Sequence, residues 1–107
     1  MRVPFFRLSV SDAMRAAVDE VVASGWLTSG PKVQAFETAF AEAVGAKHAV
    51  AVNSCTAALH LALEAVGVTT GDHVLVPTMT FAATAEVVRY LGADPVLADV
   101  CPMTALL

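Results

Sequence analysis

The sequence holds 107 residues, 57% of them apolar and 15% charged, with a net charge of −4. That length allows one domain at most, and a mildly acidic chain with no basic stripe points away from nucleic acid as a partner. No apolar run approaches the roughly 18 residues of a membrane span, and so apolar a composition in so short a chain reads as a piece of a larger core. Residues 1–10 read as an extended arm, and Arg7 interrupts it before any signal-like apolar run forms. Ser11 is suited to cap a helix, with Asp12 in its first turn to suit the dipole. That helix runs to about Ser24 and stops at Gly25. Ala13, Ala17, Val18, Val21 and Val22 form its apolar face, and Arg15, Asp19 and Glu20 its polar one. Residues 25–30 form a loop. Pro31 opens the next helix, in which Val33, Phe36, Phe40 and Val44 share a side that the spacing predicts to be buried, and Gly45 ends it.

The rhythm then changes. A strand is expected over 48–52, a helix over about 56–66, a strand over 73–76, a helix over about 81–91 and a strand over 96–99. Turns fall between, at Gly67 to Asp72 and at Gly92 to Asp94. The strands are apolar and do not alternate. The fold class is therefore α/β: a mostly parallel sheet of three strands with helices on both faces, preceded by two N-terminal helices. Cys55 and Cys101 form no disulfide framework, which suits a reduced, cytoplasmic setting.

The most informative segment is Asn53-Ser-Cys-Thr-Ala-Ala-Leu-His-Leu-Ala-Leu63. A strand, a tight turn of small residues and a helix start leave several backbone N–H groups aimed at one spot. With the positive end of the helix dipole, that spot suits a phosphate. Ser54 and Thr56 add hydroxyls; Cys55, Ala57 and Ala58 leave the approach open. The same residues also suit a plain helix cap with nothing bound. Phe81 follows a strand and so lies at the sheet's carboxyl edge, where ligands of open α/β sheets gather. Periodicity alone would equally make it a core phenylalanine. His48, His60 and His73 lack metal-ligand spacing, so no metal site is expected. His60 and Glu64 read as a solvated pair, and Asp99 as a strand-end residue.

Four segments in this order resemble the N-terminal part of the DegT/StrS-type pyridoxal-phosphate-dependent sugar aminotransferases. They are Trp26-Leu-Thr-Ser-Gly-Pro-Lys-Val-Gln-Ala-Phe-Glu37, the Asn53–Leu63 segment, Asp72-His-Val-Leu-Val-Pro-Thr-Met-Thr-Phe-Ala-Ala-Thr84 and Gly92-Ala-Asp-Pro-Val-Leu-Ala-Asp-Val100. The resemblance spans about Val3 to Val100. It implies an incomplete large domain of a pyridoxal-phosphate-dependent transferase of fold type I. Residues 1–30 would supply an arm, a helix and a loop near the active site, and residues 31–107 the start of the cofactor-binding large domain.

By that resemblance Ser54, Cys55, Thr56 and Ala57 hold the phosphate of pyridoxal 5′-phosphate, and Phe81 stacks on its pyridine ring. Trp26 to Pro31 would lie near the active site, close to the partner subunit of a homodimer; as a bare sequence it is equally a polar helix–helix connection. Aminotransfer needs a Schiff-base lysine and a carboxylate against the pyridine nitrogen. In the family both come from beyond position 107. Lys32 and Lys47 match neither motif, so no catalytic residue is assigned. Cys101 and Met103 stand where family members commonly carry Asp, which suits a degraded end. The resemblance further implies that the strands at 48–52 and 73–76 do not pair with each other.

The expected function is thus that of a fragment, inactive alone. Its parent would move an amino group from an amino acid such as glutamate to a keto sugar, nucleotide-linked in this reading. A sugar dehydratase of the same family, with histidine in place of the lysine, is the alternative, and a non-catalytic remnant is another. A self-sufficient nucleotide-binding module would need an acidic ribose partner about 20 residues past the turn. Asp72 is near that distance but sits in a turn, which ranks this reading last.

Overall fold

The computed structural model describes residues 3–4 and 6–107. Of the expected arm, Met1, Arg2 and Phe5 lie outside the described residues; the others up to Val10 carry no helix or strand. The chain divides into two compact units, Met1–Ala51 and Val52–Leu107.

The first unit carries α1 (Asp12–Ser24) and α2 (Pro31–Val44). Ser11 caps α1 as its residue type suggests: its extended backbone turns the chain, and its Oγ accepts the Met14 N–H at 3.2 Å. Gly25 ends α1, donating its N–H to the Val22 carbonyl. Pro31 occupies the first turn of α2, where its missing N–H has no partner to lose. Glu20 on α1 and Lys32 on α2 form a solvated ion pair at 2.9 Å, a contact that contributes at most about 1 kcal/mol. Phe36 and Phe40 lie against each other, one helical turn apart, with ring centroids 5.7 Å apart. The side of α2 that the spacing predicted to be buried stays half-exposed at Phe36, Phe40 and Val44, and within its own unit only Ala41 of α2 is buried. The less exposed residues of α2 are instead Val33, Glu37 and Ala41, four apart, so the predicted side is not the one covered in this unit. Apolar spacing states which residues would suit burial, not which side a neighbour covers.

The expected strand at 48–52 is a correction. Among the described residues this segment carries no strand, and Val50 is 80% exposed. A strand is defined by its ladder, and no described strand borders this one. One of its backbone donors is instead taken by a side chain: the Ala51 N–H donates to Oε1 of Glu37 on α2 at 2.8 Å.

The second unit carries α3 (Cys55–Ala65), β1 (His73–Pro77), α4 (Ala83–Tyr90) and β2 (Asp94–Ala98). The sheet thus has two strands where three were expected, and they run parallel, joined through α4. The register pairs Leu75 with Val96 and Pro77 with Ala98. Ladder bonds at its two ends run from Asp94 N–H to the Asp72 carbonyl and from Thr78 N–H to the Ala98 carbonyl, both at 2.9 Å. Val76, Val88 and Ala93 form the core, with Leu63, Val68, Val74 and Ala85 packed around them. Val74 and Val76 face the helices because side chains alternate along a strand. The other face, bearing Leu75 and Val96, is uncovered within this unit, and Leu75 is 59% exposed. Gly92 ends α4 with φ +74°, and a side chain there would strike the Thr70 hydroxyl, so only glycine fits both constraints.

Candidate functional site

The start of α3 is built by Ser54. Its backbone is extended at φ −160° and ψ 157°, its Oγ accepts the Ala57 N–H at 3.1 Å, and its carbonyl accepts the Ala58 N–H at 3.0 Å. The cap therefore occupies the Ala57 donor. Among the described residues the N–H groups of Cys55 and Thr56 have no acceptor, and no hydrogen bond reaches the Thr56 hydroxyl. Ser54 and Cys55 are exposed and Thr56 and Ala57 half-buried, so the helix start opens to solvent. Two free N–H groups at the positive end of a helix favour an anion.

Phe81 lies in the five-residue loop between β1 and α4, just ahead of the first helical residues rather than inside the helix. A turn precedes the helix here, because the Phe81 carbonyl accepts the Thr84 N–H at 3.0 Å. The ring is 82% exposed, so Phe81 is no part of this unit's core.

The α4 helix begins after the carboxyl end of β1. The C-terminal halves of α3 and α4 lie together: His60 meets Tyr90 edge-to-face at 5.6 Å, and Leu63 packs against the cluster that holds Val88. Phe81, which follows β1, lies at the carboxyl edge of the strands.

That edge also holds a link the sequence reading missed. Asp99 follows β2, and its Oδ1 accepts the Thr78 hydroxyl at 3.3 Å and the Val100 N–H at 2.8 Å. The signal was available in principle, since Thr78 and Asp99 each follow a residue of the aligned pair Pro77 and Ala98. Using it requires the register, which single strands do not state.

In the first unit the Trp26–Pro31 loop closes on itself. The Trp26 indole N–H donates to the Ser29 carbonyl at 3.0 Å, and its ring lies over Gly30, which is buried. A cavity of about 640 Å³ beside it is lined by Val21, Trp26, Leu27, Val33, Phe36 and Ala51. Among the described residues no cluster of three His, Cys, Asp or Glu could hold a metal, and no helix is long and apolar enough to cross a membrane.

Comparison with known proteins agrees with this architecture. The family model for the DegT/DnrJ/EryC1/StrS aminotransferases matches residues 9–107. The spore coat polysaccharide biosynthesis protein SpsC of Bacillus subtilis (strain 168) is 59% identical over 83 residues, which is 78% of this chain and 21% of that protein. The sugar aminotransferase Spr1654 of Streptococcus pneumoniae, solved in its PMP form, superposes with a TM-score of 0.90 at 35% identity, over 98% of this chain and 26% of that one. A GDP-4-keto-6-deoxymannose-3-dehydratase superposes with a TM-score of 0.84 at 27% identity, over 94% of this chain and 28% of its own. The chain spans about a fifth of the curated relative and about a quarter of these solved structures.

Proposed function

The chain belongs to the DegT/DnrJ/EryC1/StrS aminotransferase family, and on that premise we propose that it is the N-terminal part of a cytoplasmic enzyme that transfers an amino group to a keto sugar through pyridoxal 5′-phosphate. Residues 31–107 are, in this reading, the start of the cofactor-binding large domain. The observations that support it are the pair of unclaimed N–H groups at Cys55 and Thr56 and the exposed ring of Phe81 beyond the carboxyl end of β1. A phosphate and an aromatic ring on one ligand would use both.

The roles follow from what each group has left to offer. Ser54 keeps the helix start in shape, and Ala57 donates to it. Cys55 and Thr56 hold the phosphate through their N–H groups, with the Thr56 hydroxyl as a third donor. Phe81 offers a flat apolar face to the pyridine ring; such stacking contributes on the order of 1 kcal/mol beyond burial. When bound, the ring supplies an electron sink for the carbon that gains or loses the amino group. Lys32 is paired with Glu20 and Lys47 is exposed, and neither is given a catalytic role. The remaining partners in this reading are an amino-acid donor, glutamate for preference, a nucleotide-linked sugar and a second copy of the protein. The solved dehydratase, which holds a trapped PLP–glutamate adduct, supports glutamate as the donor. The same similarity keeps a dehydratase as the second reading.

The test joins this chain to the remaining part of the Bacillus subtilis relative and measures affinity for pyridoxal 5′-phosphate. Thr56→Ala should weaken binding by about 1–2 kcal/mol, the scale of a hydrogen bond to a charged group. Phe81→Ala should weaken it as well, with the protein still folded. Unchanged affinity in both variants would mean that the helix start is only a cap and Phe81 only a surface residue.

A further inference from the structure

We propose that Asp99 is a positioning residue for Phe81, acting through Thr78; the inference rests on reading Phe81 as the stacking partner of the cofactor ring. A side chain that is 82% exposed has almost nothing packed against it. Its attitude must then be set through the backbone that carries it. That backbone is the loop over residues 78–82, and it is fastened at both ends.

At its entry Thr78 is held twice. Its N–H extends the ladder to the Ala98 carbonyl at 2.9 Å, and its hydroxyl donates to Oδ1 of Asp99 at 3.3 Å. The Val100 N–H donates to the same oxygen at 2.8 Å, which fixes the carboxylate that receives Thr78. At its exit the Phe81 carbonyl accepts the Thr84 N–H at 3.0 Å, and the hydroxyls of Thr80 and Thr84 are hydrogen-bonded at 2.8 Å. Phe81 thus sits between a fastening made by the end of β2 and one made by the first turn of α4. The exit fastening belongs to the helix and persists wherever the helix forms. The entry fastening depends on one side chain from the neighbouring strand. Removing the Asp99 carboxylate leaves Thr78 a single main-chain bond and lets the loop swing about its exit.

The test compares wild type, Asp99→Ala, Asp99→Asn and Thr78→Val in this chain, by amide exchange and by equilibrium dialysis against pyridoxamine 5′-phosphate. The amine form is the probe because it cannot condense with surface lysines. Asparagine keeps an oxygen acceptor for both donors, and valine keeps the shape of threonine without its hydroxyl. Exchange over residues 78–86 should be several-fold faster in Asp99→Ala and Thr78→Val and unchanged in Asp99→Asn. The dissociation constant should rise about fivefold in Asp99→Ala, the weight of one hydrogen bond, and return in Asp99→Asn. In a Phe81→Ala background Asp99→Ala should add no further loss. Thr78→Val keeps the test open should Asp99→Ala fail to fold. Unchanged exchange in Thr78→Val, or an undiminished affinity loss without Phe81, would overturn the positioning role alone. A dissociation constant insensitive to Phe81→Ala would overturn the reading of Phe81 and the positioning role with it.

Discussion

The Cys101 thiol is exposed, yet its pKa is held below the ordinary thiol value. The chief cause is the Thr104 hydroxyl, which donates to the sulfur, and the N–H groups of Met103 and Thr104 add to it. Each donor favours the thiolate over the thiol. Because the thiolate is the nucleophile, alkylation of Cys101 should already be substantial at a pH below the usual thiol range. Thr104→Val removes the largest cause, so the midpoint of the alkylation rate against pH should move upward. Mass spectrometry of the peptide bearing Cys101 reads this directly, and an unmoved midpoint would rule the hydroxyl out as the cause. At this scale the sequence was legible where the partner lies within one helical turn. The Ser54 cap and its bond to Ala57 follow from residue type and spacing. The Asp99–Thr78 link and the Glu37–Ala51 link span 21 and 14 residues, and no local pattern announces them.

Helices were legible as elements because each carries its own punctuation. Ser11 and Gly25 bound α1, and Pro31 and Gly45 bound α2, close to where residue type placed them. The strand at 48–52 failed for the opposite reason: an apolar run states a preference, and a ladder needs a neighbour. The start of α4 moved from 81 to Ala83 because the Phe81 carbonyl is spent on a turn first. The join between α4 and β2 gives a prediction at this scale. Gly92→Ala meets two penalties, a left-handed backbone and the Thr70 hydroxyl, whereas Gly71, at φ +92°, has open space around it. Gly71→Ala should cost about 1–2 kcal/mol, the price of the left-handed conformation. Gly92→Ala should cost measurably more by urea unfolding. Equal losses would show that Thr70 simply moves aside.

The chain as a whole exposes more apolar surface than a small domain normally does. Val18, Val22, Phe36, Phe40, Val50 and Leu75 are each half-exposed or more. Exposed apolar surface of this kind binds dyes and drives association. Sedimentation at micromolar concentration should therefore find self-association with dye binding, and joining the chain to the remaining part of a relative should suppress both. A dye-silent monomer with a sharp thermal transition would contradict this. The prolines of the small sheet decide what form such association takes. The ladder bonds place the N–H and carbonyl groups of Asp72, Val74, Val76 and Thr78 toward β2, and those of Asp94, Val96 and Ala98 toward β1. Pro77 and Pro95 then fall at the outward-facing positions, so each free edge lacks a donor where an added strand would seek one. Chains can adhere by their side-chain faces, but neither edge templates an endless stack of strands. The clusters should stay amorphous and soluble on dilution, with no fibres and no thioflavin signal.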